Sequence, residues 1–308
     1  MKIFIIFNPI AGGSRRFKRL AQLEKYLRLS GNTVTTYTSS HAGEGTELTL
    51  RALDGGAEVV VVVGGDGTVN EVIQGLAGSS APMAVYPAGT TNVWCQQIKM
   101  PHNPRLAAEI ITSSPRISID LGQVGSRYFL LMLGIGLDGE VVRAVDLDLK
   151  RKIGKLAYLK TGLRALFQIQ ATDISIIFDP GQETEHSKHF SSCLIIATNV
   201  QRYAVVRLLP SAIVDDGKLD LLVFEGSKLR SKIARLLSLI TNRIQQDEKI
   251  GYFRISSANI QCNSPMATQI DGDPFESASF NAVEIKCIPK ALRVIIPPKA
   301  PRSFFSDI

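Results

Sequence analysis

The stretch VVVVVGGDGTVNEVIQGL, residues 59–76, decides the fold of the chain. Its five consecutive valines predict a strand buried on both faces, because β-branched side chains suit a pleated sheet and no polar residue alternates with them. The strand ends in a glycine-rich turn at 64–67. A helix follows, and Thr68 and Glu71 form a T-x-x-E capping box for it. One apolar stripe of this helix is formed by Val69, Val72, Ile73 and Leu76.

A strand, a glycine-rich turn and a helix start, in this order, create a site suited to a phosphate. Free backbone N–H groups and the positive end of the helix dipole point to one place, and the glycines let the backbone approach a ligand closely. The carboxylate of Asp66 would repel a bare phosphate, so it fits if Mg²⁺ lies between them or if Asp66 receives a proton. The alternative is a tight turn that binds nothing, because short glycine-rich motifs are weak evidence by themselves.

The length and composition indicate a globular protein of two domains: 308 residues, 45% of them hydrophobic and 20% charged. A net charge of +7 favours a polyanionic partner, such as a nucleotide, a nucleic acid or an anionic membrane. The four cysteines are widely spaced, which excludes a C-x-x-C zinc site and fits a reducing cytosol. No apolar run approaches the ~20 residues of a membrane span. No basic tract with interleaved aromatic residues supports nucleic-acid binding, so we expect none.

Strands alternate with helices through the first hundred residues, which predicts βαβ units and a parallel sheet. Strands are predicted at 2–7, 33–38, 59–63 and 83–86, and further helices at 15–29, with Phe17 facing inward, and at 46–53. Glycine-bearing loops follow three of the strands, at 8–13, 64–68 and 87–92. Such loops share the carboxyl edge of a parallel sheet, where ligands bind.

The pattern changes near residue 115, where closely spaced strand-like runs begin. Strands at 117–124 and 128–134 are joined by a turn at Gly125-Ser126, and one helical segment follows at 141–170. Further strands are predicted at 174–178, 192–198, 219–224, 255–262, 268–270, 282–287 and 292–296. Their density predicts an antiparallel sandwich or barrel. His186 and His189 are interpreted as part of a polar surface loop, and the last residues as a tail.

Six motifs, in order along the chain, resemble the diacylglycerol kinase catalytic-domain family, the bacterial lipid kinases. The motifs are FNPIAGG, GGDGTVNEVIQGL, PAGTTN, GIGLDGEVV, DDGKLDLL and IDGDPF. NAD kinases and 6-phosphofructokinases also share GGDGT, so the later motifs carry the resemblance. It implies a Rossmann-like, parallel α/β nucleotide-binding domain at 1–125 and an antiparallel β-sandwich lipid-substrate domain at 126–289. Residues 290–308 would pack back on the first domain, and a catalytic cleft would lie between the two.

The resemblance implies a lipid kinase of phospholipid biosynthesis, which transfers the γ-phosphoryl group of ATP to a lipid hydroxyl such as that of diacylglycerol. The general base would be Asp273, with Asp271 as the alternative, and Asp66 would hold a catalytic Mg²⁺. The nucleotide would be bound by Asn8, Thr38 or Ser39, Gly64, Gly65, Asp66, Gly67, Thr68, Asn70, Gly89, Thr90 and Asn92.

A structural Mg²⁺ is also implied, held by the Asp216 side chain and the carbonyl oxygens of Ile213 and Lys218. The chain departs from the family pattern in three places. Asp273 replaces the usual Glu, Val93 stands where the family often has Asp, and residues 203–207 replace a stretch that is often rich in glycine.

A basic and apolar helix predicted at 227–244 is suited to an anionic membrane surface, although a packing helix with a solvated basic face has the same pattern. We therefore expect a cytoplasmic protein that binds its lipid substrate peripherally at the inner membrane face. The sequence is compatible with a homodimer. Two alternatives remain: a kinase of a soluble metabolite such as NAD, and a catalytically weak or inactive nucleotide- or lipid-binding regulator.

Overall fold

A computed structural model describes residues 1–10, 16–89, 92–144, 169–203, 206–226, 247–275 and 280–306, together with residues 230, 231, 234 and 238. The chain divides into two compact units. The first comprises Met1–Leu121, Ile213–Asp216 and Pro289–Ile308, and the second comprises Gly122–Ala212 and Gly217–Ile288. The predicted fold class is confirmed, because the first unit is a parallel α/β domain and the second an antiparallel β-sandwich. Most residues of the predicted helices at 227–244 and 141–170 fall outside the described residues.

The first unit alternates strands and helices as predicted. Its strands are β1 (Lys2–Phe7), β2 (Thr33–Thr38), β3 (Val59–Gly64) and β4 (Met83–Pro87). Its helices are α1 (Arg16–Leu29), α2 (Glu44–Asp54), α3 (Asp66–Leu76), α4 (Val93–Ile98) and α5 (Pro104–Ser113).

The four strands form one parallel layer in the order β4-β3-β1-β2. Every residue of β3 is buried, as the run of valines predicts. The register pairs Phe7 with both Thr38 and Val63, and Gly64 with Pro87. The ends of these strands therefore lie at one edge of the sheet, which brings together the loops that follow them.

Two local predictions in the first unit are wrong. Phe17 is 54% exposed rather than buried, and its ring meets that of Phe7 edge-on, with the ring centroids 5.3 Å apart. The capping box does not form, because α3 begins at Asp66 and Thr68 lies inside its first turn. Glu71 instead accepts hydrogen bonds from the backbone N–H groups of Gly43 and Gly45, at 2.7 and 2.9 Å, and so anchors the start of α2.

The chain enters the second unit within β5 (Arg116–Val124). There follow β6 (Arg127–Phe129), β7 (Met132–Gly136), α6 (Leu137–Ala144), β8 (Thr172–Phe178), β9 (His186–Thr198), β10 (Arg202–Tyr203), β11 (Val206–Arg207), β12 (Leu219–Glu225), β13 (Ile250–Ile255), β14 (Ser257–Met266), β15 (Thr268–Ile270), β16 (Asp273–Pro274) and β17 (Phe280–Ile295), which returns to the first unit.

Antiparallel pairing organises the second unit around β9, which pairs with β7, β8 and β12. Strand β7 pairs in turn with β15, and β8 pairs with β14. Apolar side chains from these strands form one core, which includes Leu133, Ile195, Leu221 and Ile270. Leu133 of β7 pairs with Ile270 of β15 within this core, so the neighbouring Gln269 projects from the opposite face of β15.

Three further predictions about strands and termini need correction. His186 and His189 lie in β9 rather than in a loop, and the His186 ring stacks on Phe178 with centroids 4.6 Å apart. The strand predicted at 128–134 is interrupted at residues 130–131, whose backbone N–H groups donate to a side chain instead. The C-terminal segment is not a loose tail, because Phe304 is fully buried and packs on Trp94 at 5.9 Å between ring centroids.

Candidate functional site

The loops after β3 and β4 are in direct contact in the first unit. The carbonyl oxygen of Gly64 accepts hydrogen bonds from the Gly89 N–H at 3.1 Å and from Asn92 Nδ2 at 2.9 Å. A Cβ atom at Gly89 would lie 2.6 Å from the Cα atom of Gly65. The sequence therefore needs glycine here, because any side chain would force the two loops apart.

The loop after β1 joins the same cluster through Asn8. Its Nδ2 atom donates to Thr68 Oγ1 at 3.0 Å, and its backbone N–H donates to the Val63 carbonyl at 3.0 Å. Its Oδ1 atom accepts from the Ile10 N–H at 2.9 Å, which orients the side chain. The three glycine-bearing loops predicted from the sequence thus converge on the start of α3.

Asp66 lies at the centre of this cluster and is half-buried. Its Oδ1 atom accepts a hydrogen bond from the backbone N–H of Val93, the first residue of α4, at 2.8 Å. The carboxylate therefore takes its orientation from the amino terminus of α4 and lies beside the amino terminus of α3. Burial, and then the charge of Asp66, raise the pKa of the nearby Cys95 thiol well above its ordinary value.

The cluster offers backbone donors to a ligand. The N-cap of α3, Gly65, has no side-chain capping hydrogen bond, so the first-turn N–H groups keep their capacity for an anion. Asn92 is 3% exposed, and its Oδ1 atom has no hydrogen-bond partner among the described residues. Buried polar atoms are normally paired, and residues 90 and 91, which adjoin Asn92, lie outside the described residues.

Further residues predicted to bind the nucleotide are Thr38 or Ser39, Asn70 and Thr90. Thr38 is exposed at the end of β2, and the neighbouring Ser39 is buried, with its N–H bonded to the Phe7 carbonyl at 2.9 Å. Asn70 is buried on α3, where its backbone carbonyl accepts from the Gln74 side chain. Thr90 lies outside the described residues.

The predicted catalytic acids of the second unit lie on a two-residue hairpin. Asp271 and Gly272 have φ angles of +51° and +92°, and Ile270 pairs with Asp273 across the turn. Left-handed conformations at both central positions are those of the type I′ turn, which Asp-Gly favours. Asp273 follows the turn and is exposed.

Asp271 has quite different surroundings. It is 7% exposed, and its carboxylate accepts hydrogen bonds from the backbone N–H groups of Leu130, Leu131 and Met132, at 3.0, 2.8 and 2.9 Å. Its own N–H donates to the Met132 carbonyl at 2.9 Å. These contacts explain the break between β6 and β7, because the N–H groups there bind Asp271 rather than a neighbouring strand. The sequence does not reveal this anchoring role.

A second contact that anchors the hairpin also could not be predicted from the sequence. The side chain of Gln269 is buried and bonds both to the backbone of Gly272 and to the carboxylate of Asp138. Asp138 lies in the GIGLDGEVV motif, to which the sequence analysis assigns no role.

The residues predicted to bind a structural metal fall on both sides of a unit boundary: Ile213 and Asp216 belong to the first unit, and Lys218 to the second. The segment is held in the first unit by the Val214 N–H, which donates to the Phe304 carbonyl at 3.1 Å. Across the described residues, no group of three or more His, Cys, Asp and Glu side chains could hold a metal ion. Within these residues, a Mg²⁺ would therefore need ligands beyond clustered side chains.

Known proteins and protein families match nearly the whole length of the chain. Residues 2–124 match the model of the diacylglycerol kinase catalytic domain, and residues 132–296 match that of the YegS C-terminal NAD kinase beta sandwich-like domain. A diacylglycerol kinase of Bacillus subtilis (strain 168) is 27% identical over 275 residues, which are 87% of this chain and 88% of that protein. A diacylglycerol kinase of Staphylococcus carnosus (strain TM300) is 28% identical over 285 residues, 92% of each chain.

Solved structures share the fold. One from Bacillus anthracis str. Sterne superposes with a TM-score of 0.81 at 25% identity, over 97% of this chain and 96% of that chain. A diacylglycerol kinase from the same organism has a TM-score of 0.73 at 20% identity, over 97% and 98% of the two chains. No helix within the described part of the chain is long and apolar enough to cross a membrane.

Proposed function

The chain belongs to the diacylglycerol kinase catalytic-domain family, and on this premise we propose that it transfers the γ-phosphoryl group of ATP to the hydroxyl group of a lipid such as diacylglycerol. The observation that carries the proposal is the convergence of three glycine-bearing loops on the start of α3, where Asp66 is the first residue. Phosphoryl transfer asks a protein mainly to position the reactants and to neutralise charge, and this cluster is suited to both tasks.

The nucleotide phosphates would be held by the backbone at the start of α3. Its N–H groups and the helix dipole favour negative charge, and the close contact of Gly65 with Gly89 leaves only backbone at that place. Asn92 would support the loop, because its Nδ2 atom donates to the Gly64 carbonyl oxygen at 2.9 Å. Asn8 would act indirectly, by fixing Thr68.

The donor set fits Mg²⁺. This ion is commonly held by one or two carboxylates together with substrate phosphates and water, rather than by a cage of protein ligands. Asp66 would hold the catalytic ion, and when bound Mg²⁺ would neutralise charge on the phosphates. Asp216, with the carbonyl oxygens of Ile213 and Lys218, would hold the structural ion.

Asp273 would act as the general base, because a carboxylate within hydrogen-bond reach can take the proton of the acceptor hydroxyl as the new P–O bond forms. It is exposed, while the carboxylate of Asp271 already accepts three backbone hydrogen bonds. We therefore assign the base to Asp273 and the anchoring of the turn to Asp271.

The test is the transfer of labelled phosphate from γ-labelled ATP, with Mg²⁺, to mixed lipid vesicles. Vesicles contain diacylglycerol, monoacylglycerol, a ceramide-type lipid or phosphatidylglycerol, and a parallel reaction contains NAD without vesicles. Labelled lipid is expected. No incorporation into any of the four lipids would overturn the proposal. Label in NAD alone would favour a soluble-metabolite kinase, which the NAD kinase-like description of the second domain makes the rival to test.

A further inference from the structure

A buried amide links the GIGLDGEVV motif to the hairpin that carries Asp273. Gln269 Nε2 donates to Asp138 Oδ2 at 2.5 Å, and Gln269 Oε1 accepts from the Gly272 N–H at 2.7 Å. Gln269 is 1% exposed and Asp138 6%. All of these atoms belong to the second unit. One side chain therefore bridges a buried acid and the backbone next to the proposed base.

Asp138 determines which end of the Gln269 amide faces the hairpin. An ionised carboxylate only accepts hydrogen bonds, so it binds the NH₂ end of the amide. The carbonyl end is thereby directed to the Gly272 N–H. If the amide turned over, two oxygens would face each other at one end and two N–H donors at the other.

The glycines of the motif make room for this arrangement. A Cβ atom at Gly134 would lie 1.8 Å from Asp138 Oδ2, and one at Gly139 would lie 2.4 Å from the backbone of Ala267. Gly136 has a φ angle of +85°, which favours glycine. The motif thus lets α6 approach β15 closely enough for the Asp138 carboxylate to reach Gln269.

The hairpin is consequently held on both of its central residues. The Asp271 carboxylate binds the backbone at 130–132, and Gln269 binds Gly272. Asp273 is the next residue and is exposed, so its backbone position depends on these two anchors rather than on burial of its own side chain.

We propose that Asp138 and Gln269 are positioning residues for Asp273, acting through the amide that fixes Gly272. The inference rests on the proposed function, in which Asp273 is the base. The simpler interpretation is a buried polar pair that only satisfies its own hydrogen bonds, and such a pair would leave the rate of phosphoryl transfer unchanged once the protein is folded.

An exchange of acid and amide separates the two interpretations. In Gln269→Glu, one oxygen still accepts from Gly272, but the other faces Asp138 and repels it. Adding Asp138→Asn restores the pattern, because the new NH₂ group at position 138 then donates to the new carboxylate at position 269. Gln269→Met removes both hydrogen bonds at similar volume, and Asp173→Asn, at an exposed acid on β8, is the matched control.

Kinetics with lipid vesicles and Mg-ATP, and deuterium exchange of the peptide at 268–275, are measured for each variant. Gln269→Met and Gln269→Glu should lose roughly 10²-fold in kcat, as expected for a misplaced catalytic group, with the KM for ATP unchanged and faster exchange at Gly272. The double variant should recover most of both losses. The control should match the wild type throughout.

Two results would overturn the inference: full kcat in a folded Gln269→Met protein, or a double variant that regains protection at Gly272 without regaining kcat. If Gln269→Met does not fold, the comparison of Gln269→Glu with the double variant Gln269→Glu/Asp138→Asn tests the inference instead. A wild-type protein that transfers no phosphate contradicts the proposed function instead. In that case the exchange rates at Gly272 still establish whether Asp138 and Gln269 hold the hairpin.

Discussion

The carboxylate of Asp66 accepts a hydrogen bond from the backbone N–H of Val93 at 2.8 Å, although the two residues are 27 positions apart in the chain. The acid of the glycine-rich turn after β3 thereby caps the helix that follows β4. In this way one side chain both belongs to the turn proposed to bind phosphate and supports the neighbouring loop. The Val93 position therefore contributes its backbone to the orientation of Asp66, whatever side chain it carries.

Replacing Asp66 should separate its charge from its capping role. In Asp66→Asn the amide oxygen can still accept from Val93, so stability is kept, but the loss of charge should lower kcat by on the order of 10²–10³-fold. Asp66→Ala should lose the same activity and, in addition, about 1 kcal/mol of the free energy of unfolding, the usual worth of a helix cap. Urea unfolding of both variants checks the difference. An active Asp66→Asn protein would contradict the role of the charge.

Asp273→Asn should abolish transfer, with a loss of roughly 10²–10⁴-fold for a missing general base, while ATP binding by calorimetry stays close to the wild type. Because Asp273 is exposed, the free energy of unfolding should change by less than about 0.5 kcal/mol. Asp273→Glu restores the residue usual in the family and should keep activity. Equal losses of transfer and ATP binding would show instead that Asp273 is structural.

Asp271→Ala should have the opposite profile, with a large effect on stability. It leaves three backbone N–H groups at residues 130–132 without their acceptor. Each unsatisfied buried donor costs ~1–3 kcal/mol, so we expect a loss of at least about 3 kcal/mol, measured by urea unfolding. Asp273→Ala, two residues away, is the control. A small loss in Asp271→Ala would mean that water replaces the carboxylate.

Acid stability should depend on Asp179. Burial raises the pKa of this carboxyl, but hydrogen bonds from the Ser256 hydroxyl and from the Ser257 and Ser256 N–H groups outweigh burial, so the pKa lies below its ordinary 3.8. The folded state therefore favours the ionised form. The resulting stability is complete above the ordinary pKa and is lost as the pH falls through the lowered value. Asp179→Asn should be less stable at neutral pH and show a smaller fall in unfolding free energy below about pH 4. An unchanged pH profile would contradict this assignment.

The sequence predicts those parts of the fold and site that depend on neighbours along the chain. The valine run and the turn at 64–67 are local, and parallel pairing then brings the loops after β1, β3 and β4 to one edge. The two-residue turn at Asp271-Gly272 is local in the same way, because Asp-Gly favours this turn type.

Contacts between distant segments could not be predicted, because they depend on strand pairing and register. Asp271 and its donor Leu131 are 140 positions apart, and Gln269 and Asp138 are 131 apart. Glu71 fits a local capping box with Thr68 as the N-cap, but the observed N-cap is Gly65, three residues earlier, and Glu71 binds Gly43 and Gly45 instead. A pattern of residue types at short spacing carries no information about such partners.

The C-terminal segment should stabilise the first unit through Phe304, which is fully buried against Trp94. Phe304→Ala should cost about 3–5 kcal/mol, the usual range for a large buried aromatic residue. Trp94 is the sole tryptophan of the chain, so its fluorescence reports the change directly, and its emission should shift to longer wavelength as water reaches the ring. Phe17→Ala is the matched control, because that ring is 54% exposed, and it should leave the emission unchanged.

Since Trp94 follows Val93 on α4, Phe304→Ala should also weaken the support of Asp66 and lower the affinity for Mg-ATP. An unaltered emission spectrum and unaltered stability in Phe304→Ala would show that the segment is dispensable.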